Sequence, residues 1–177
     1  MLTIRGATPD DLSAVAAIYA HYVTETVATF DETPPTLDYW HQRYEDLTAR
    51  DLPFLVAESE GQVAGYAYAT PWRPKPAYRH TVEDSIYLAP GQAGKGYGST
   101  LLRALLDACA NRGLHQVIAV IVDADSGASA ALHRKHGFTE AGRLRDVGHK
   151  HSRWLDTVLM QHTLRDTSSA PVRGSNA

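Results

Sequence analysis

The sequence predicts one α/β domain, a mixed twisted β-sheet with helices on both faces. Three observations carry that expectation. Short runs of strand length alternate with longer runs at helical spacing, in the order β-α-α-β-β-β-α-β-α-β-β. One run, Gln116 to Val122, is apolar almost throughout, which predicts a central strand buried on both faces. A glycine-rich segment after Leu88 joins a strand directly to a leucine-rich helix. At 177 residues and 44% hydrophobic content the chain can bury one proper core. The domain is expected to span residues 1–165. Residues 166–177 turn to Ser, Ala, Pro, Gly and Asn, the composition of a disordered tail.

Each element has its own signal. Thr3-Ile4-Arg5 reads as a short first strand. Thr8-Pro9-Asp10-Asp11 then combines a capping hydroxyl, an early proline and first-turn acids, and Leu12, Val15, Ile18, Tyr19 and Tyr22 form the buried stripe of a helix. β-Branched residues weaken that helix towards Thr29 and Phe30. After the loop Asp31–Pro35, Thr36 caps a second helix with Leu37, Trp40, Tyr44 and Leu47 on one face, ending before Pro53. Phe54–Glu58 and Gln62–Ala69 flank Ser59-Glu60-Gly61 as a hairpin. Pro71 to Pro76 cannot pair inside a sheet and is expected as a braced surface loop.

Thr81–Leu88 is the next strand, and alternation puts Glu83, Ser85 and Tyr87 on one face, opposite Val82, Asp84, Ile86 and Leu88. Leu101, Leu102, Leu105, Leu106 and Cys109 then mark a helix that stops at Asn111-Arg112-Gly113. Ser126–His136 is a short helix closed by Gly137, Phe138 begins another strand, and Leu155–Thr163 is the last.

Charge and cysteine content narrow the function. Lys+Arg 17 against Asp+Glu 20 gives −3, so there is no bulk attraction to nucleic acid or to an anionic membrane. No run approaches membrane-spanning length and no apolar leader is present, so a cytoplasmic protein is expected. The single cysteine, Cys109, fits a reducing compartment and a place in the core. No Cys or carboxylate completes a metal set around the pairs His133/His136 or His149/His151, so no metal is expected.

Gly94, Gly96 and Gly98 let the backbone turn sharply and leave N–H groups uncovered where a helix dipole begins, which makes this loop an anion seat. It is not a nucleotide-triphosphate loop. Gly91 and Gly96 have the spacing, but Tyr97 and Gly98 stand where Lys and Ser or Thr belong. A dinucleotide fingerprint is equally disfavoured, because that motif opens a βαβ unit and here most of half the chain comes first.

The strand, Ala93-Gly94-Lys95-Gly96-Tyr97-Gly98, the leucine-rich helix, the apolar strand and Leu132-His133-Arg134-Lys135-His136-Gly137-Phe138 together resemble the GNAT superfamily of N-acetyltransferases over residues 1–165. Longer strings resemble its phosphinothricin and methionine sulfoximine N-acetyltransferase subfamily: Ala28-Thr29-Phe30, Tyr66-Ala67-Tyr68, Pro71-Trp72-Arg73, Tyr78-Arg79, Thr81 to Tyr87, Lys150-His151 and Trp154-x-Asp156. Three departures stand out. Ala93 occupies the loop position where the family carries Arg or Gln, with Gln92 one residue early. His133 replaces a tyrosine common in the superfamily, as the subfamily also does, and Ser126 replaces a frequent asparagine.

The resemblance implies acetyl transfer from acetyl-CoA to the α-amino group of a small amino acid analogue, by direct transfer in a ternary complex. It implies acetyl-CoA contacts at Ile86, Tyr87, Leu88, Gly94, Lys95, Gly96, Tyr97, Gly98, Ser99, Ser126, Ser129 and His133. An ammonium must lose a proton before it attacks a thioester, and Glu83 is the implied base. Read without the resemblance, Glu83 is equally a solvent-facing carboxylate or an ion-pair partner of Arg73 or Arg79. His133 is either the group that protonates or hydrogen-bonds the leaving thiolate, or a structural histidine. An acceptor bearing a carboxylate and a second polar head needs cations and an aromatic wall, for which Thr29, Phe30, Arg73, Lys75, Tyr78 and Arg79 are the candidates. The resemblance also implies a homodimer, with Trp72 a candidate contact and His149, Lys150 and Trp154 bordering the partner's site. Two rival readings stay open: an acceptor such as a polyamine or protein lysine, and a non-catalytic acyl-CoA sensor.

Overall fold

The computed structural model describes residues 1–124 and 126–164. Asp125 and the expected tail at 166–177 lie outside the described residues. Seven strands form one sheet in the order β1-β2-β3-β4-β5-β7-β6: β1 (Leu2–Gly6), β2 (Phe54–Ser59), β3 (Gln62–Pro71), β4 (Thr81–Leu88), β5 (Gln116–Val122), β6 (Thr139–Lys150) and β7 (Arg153–Thr163). Every neighbouring pair is antiparallel except β4 and β5. Four helices, α1 (Leu12–Glu25), α2 (Leu37–Ala49), α3 (Tyr97–Asn111) and α4 (Ala128–Lys135), cover the sheet. None of them is long and apolar enough to cross a membrane.

Strand alternation sorts the core into two layers. On one face Phe54, Val56, Tyr66 and Tyr68 pack under α1 and α2, against Leu12, Val15, Val23, Trp40 and Leu47. On the other, Ala57, Ala67 and Ala69 are small, so α3 lies close to the sheet and buries Leu101, Leu102, Leu105 and Cys109 against Val82, Val117 and Met160. Thr36 caps α2 by accepting a hydrogen bond from the Tyr39 N–H at 3.2 Å. Glu60 and Gly61 turn the β2–β3 hairpin with φ of 54° and 75°, the two-residue turn that matches strand twist.

Several boundaries differ from the sequence reading. β3 runs on to Pro71, which pairs with Val82 as the strand's last residue, where a missing donor does little harm. α4 begins at Ala128 and not Ser126, because Gly127 takes φ +59° ahead of it. β7 begins at Arg153, two residues early, since His149 and Trp154 pair across the tight β6–β7 turn. β5 is not buried on both faces. Val117, Ala119 and Ile121 are buried, but Val120 is 39% exposed. Gln116, Ile118 and Val120 share the partly open face, while Val117, Ala119 and Ile121 pack into the core.

Candidate active site

Parallel pairing of β4 and β5 lasts only from Thr81–Gln116 to Glu83–Ile118. Past Glu83 the strands diverge. β4 stays with β3 to Leu88, whereas β5 stays with β7 to Val122. The split opens a cleft of about 540 Å³, walled by Ser85 to Leu88 of β4, by Ala119 to Val122 of β5, and by residues of the β5–α4 loop and α4. Aliphatic side chains line it together with the polar backbone edges left where β4 and β5 part, the surroundings a slender, amide-bearing chain needs.

At one end of the cleft stands Glu83, half-buried and without an ion pair among the described residues. Burial raises its pKa above the ordinary carboxylate range, and the neighbouring Asp84 charge adds to this. Arg73 and Arg43 pull it partly back. A carboxylate so placed takes up a proton more readily than a solvated one. The alternatives of a solvent-facing or ion-paired Glu83 do not describe it.

Thr29 and Phe30 line the same end. The Thr29 hydroxyl sits 2.7 Å from the Tyr19 hydroxyl, which donates to Asp31 at 2.5 Å. Lys150, 3% exposed, donates from Nζ to the Thr29 carbonyl at 2.8 Å, so the end of the β6–β7 hairpin ties down this wall. Lys150 therefore faces inward, onto the segment that carries Thr29. Burial lowers its pKa. Gly148 makes the approach possible: a methyl group there would overlap the Phe30 ring.

His133 lines the cleft from α4 and is 2% exposed. Its Nδ1 lies 2.7 Å from the Ser129 carbonyl oxygen, and its Nε2 lies 2.7 Å from Asp84 Oδ2. Burial acts to lower its pKa, but the hydrogen bond and charge of Asp84 with the Ser129 carbonyl outweigh it and raise the value. Neither ring nitrogen is free. Ser129 thus contributes its carbonyl to this ring, and Ser126 and Ser129 also line the cleft.

The glycine loop forms the other end. Gly94 and Gly96 adopt φ of +78° and +80°, with open space where a side chain would stand. Gly96 precedes α3 with no side-chain cap, leaving first-turn N–H groups unpaired by any side chain. That donor set suits an anionic group such as a pyrophosphate. Ala93 and Gly98 line the cleft, as do Ile86, Tyr87 and Leu88, while Gly94, Lys95, Gly96, Tyr97 and Ser99 stand outside its enclosed volume. Three of these side chains are turned to local partners: Lys95 to Gln92 Oε1 at 2.9 Å, Tyr97 to Ser59 Oγ at 3.2 Å, and Ser99 to His136 Nε2 at 2.8 Å. Such a loop holds an anion through its backbone.

The cationic loop divides. Arg73 lies over the Trp72 ring at 4.8 Å and its charge reaches Glu83. None of Arg73, Lys75, Tyr78 and Arg79 lines the cleft itself; Tyr78 is 45% exposed, and Arg79 donates to the Pro76 carbonyl within its own turn. Sequence reading missed Arg43, Asp84, Tyr19 and Tyr68. Arg43, on α2, bonds the Tyr39 hydroxyl and sits over the rings of Tyr39 at 5.3 Å and Tyr68 at 5.4 Å, with no carboxylate partner among the described residues. Its only sequence signal was an arginine on the polar side of an amphipathic helix, which is also the signal of a solvated charge. Cys109 lies on the buried face of α3, its thiol pushed up to about 12, first by burial and then by the Asp84 charge. It is no nucleophile.

Known proteins share this fold. A phosphinothricin N-acetyltransferase of Alcaligenes faecalis is 47% identical over 92% of this chain and 82% of its own length. An L-methionine sulfoximine/L-methionine sulfone acetyltransferase of Pseudomonas aeruginosa is 41% identical over 96% of this chain and 98% of its own. The crystal structure of a phosphinothricin acetyltransferase from Sinorhizobium meliloti, in complex with acetyl-CoA, superposes with a TM-score of 0.88. It is 44% identical, covering 98% of this chain and 94% of that one. The model of the Acetyltransferase (GNAT) family matches residues 15–138. With its split sheet, uncapped glycine loop and cleft-end carboxylate, this chain belongs to the GNAT acetyltransferase family.

Proposed function

We propose that this enzyme moves the acetyl group of acetyl-CoA to the α-amino group of a small amino acid analogue, with L-phosphinothricin and L-methionine sulfoximine as leading acceptors. The observation that carries the reading is Glu83: a half-buried carboxylate without an ion pair among the described residues, at the end of the cleft and within the field of Arg43 and Arg73. A carboxylate to take a proton and two cations to hold an acceptor's negative charge are what such an amino acid requires. A polyamine would meet those two cations as like charges.

Acetyl-CoA supplies the activated acyl group. The loop Gly94–Gly98 and the first turn of α3 would hold its pyrophosphate through backbone N–H groups, and β4 from Ile86 to Leu88 would hold the chain that follows. Glu83 takes a proton from the acceptor's ammonium, directly or through one water. The freed amine attacks the thioester carbonyl, the carbon–nitrogen bond forms, and the carbon–sulfur bond breaks with its electron pair on sulfur. Overall an ammonium and a thioester give an amide, a thiol and one proton. Holding both reactants in one cleft makes the attack effectively intramolecular. Thr29 and Phe30, fixed by Lys150, Tyr19 and Gly148, form the acceptor's wall.

The enzyme acts in the cytoplasm as a homodimer. A single buried cysteine supports the first part. The second rests on Leu144, Val147 and Trp154, which are 49, 51 and 67% exposed on the β6–β7 hairpin at the sheet's edge.

The test is coenzyme A release, followed with a thiol reagent, across phosphinothricin, methionine sulfoximine, methionine sulfone, spermidine and a lysine peptide. Saturable turnover on the first three is the expected result. Turnover on the last two alone would overturn the acceptor class, and acetyl-CoA binding with no turnover on any would favour a sensor.

A further inference from the structure

Asp84 is the first residue of β4 beyond its pairing with β5, at the apex of the split sheet, and His133 reaches it from α4 across 49 positions of sequence. Both side chains are almost fully buried, at 1% and 3% exposure. The Ser129 carbonyl can only accept, so Nδ1 must donate. Nε2 stands 2.7 Å from a carboxylate oxygen, a separation that needs a proton between them. The pair therefore holds two protons, one on Nδ1 and one shared between Nε2 and the Asp84 carboxylate. The second carboxylate oxygen, Oδ1, is buried with no hydrogen-bond partner among the described residues, so Asp84 is not placed there for packing alone.

We propose that Asp84 is a positioning residue, which with the Ser129 carbonyl fixes His133 as an imidazolium at the apex of the cleft, so that a held positive charge and not a transferable proton stabilises the departing thiolate. The proposal rests on the reading of this cleft as the thioester site. The carbon–sulfur electron pair stays on sulfur as a thiolate beside the ring, both ring protons remain where they are, and sulfur takes its proton from solvent on release. The groups that face the pair are Glu83 on β4, Cys109 on α3, His136 at the end of α4, and His162 on β7, which borders His136. The Phe138 ring packs edge-on against the His133 ring at 4.8 Å.

Nitrogen-15 histidine NMR of the whole protein at pH 8 tests this directly, with the His133 signals assigned by their loss in His133→Gln. Wild type is expected to show two ring N–H protons, Asp84→Asn one, and Asp84→Glu two. In Asp84→Asn, kcat should fall about 10- to 100-fold with KM for the amine unchanged. A neutral wild-type ring at pH 8 overturns the proposal, whether or not any variant folds. A neutral ring in Asp84→Asn with undiminished kcat overturns the catalytic half. If wild type acetylates none of the amines, the functional reading fails while the ring protons still report on the pair.

Discussion

Replacing Glu83 by Gln tests the proposed base. The substitution keeps the side chain's shape and its hydrogen-bonding reach but removes the proton acceptor. The other carboxylates that line the cleft are engaged elsewhere: Asp84 with His133 and Asp123 with Arg143. Loss of a positioned general base costs about 10²- to 10⁴-fold in kcat/KM, or about 3 to 5.5 kcal/mol in the barrier at about 1.4 kcal/mol per tenfold. Thiol-release kinetics on phosphinothricin over pH 5 to 9 should show this loss. The KM for acetyl-CoA should hold, because the glycine loop and α3 lie at the other end of the cleft. The pH profile gives a second readout. Burial raises the Glu83 pKa, so the wild-type acid limb should fall above the usual carboxylate range and should vanish in Glu83→Gln. A variant that retains more than a tenth of wild-type kcat/KM with its acid limb in place would place the base elsewhere.

Gly148→Ala should displace Phe30, raise the KM for the amine severalfold and leave that for acetyl-CoA unchanged, with overpacking costing about 1 to 3 kcal/mol in denaturant melts. Cys109 should not react with a thiol reagent at pH 8 in the native state, and one thiol should appear in guanidinium chloride, since burial holds it protonated. Asp11 is bonded by Arg5 at 2.7 and 2.8 Å, which lowers the Asp11 pKa below its unfolded value. Its stabilising contribution is thus full above the unfolded pKa and lost as pH falls through the folded one. Asp11→Asn should cost about 1 to 3 kcal/mol at pH 7 and flatten the decline of stability below pH 4.

Much of the architecture could be read from the chain because its causes are local. Thr36 and Pro53 bound α2, a two-residue turn sets the β2–β3 hairpin, and Gly94 and Gly96 adopt the positive φ that opens α3. Periodicity put Glu83 and Asp84 on opposite faces of β4, and it put Cys109 in the core. The same method misjudged β5: an apolar run reports the capacity to be buried, while burial itself depends on what lies alongside.

The sequence by itself therefore determined which segments would be strand, loop and helix, and that a glycine loop would open α3. It also singled out Glu83 and His133. Tertiary structure alone decided where β4 and β5 part, and hence that there is a cleft at all. It decided that His133 meets Asp84, that Lys150 reaches back 121 positions to the Thr29 carbonyl, and that Arg43 lies over Tyr68 within the field of Glu83. Dihedral preferences and periodicity act over a few neighbouring residues. A side chain's partner and a carboxylate's proton affinity depend on which distant elements cross beside it.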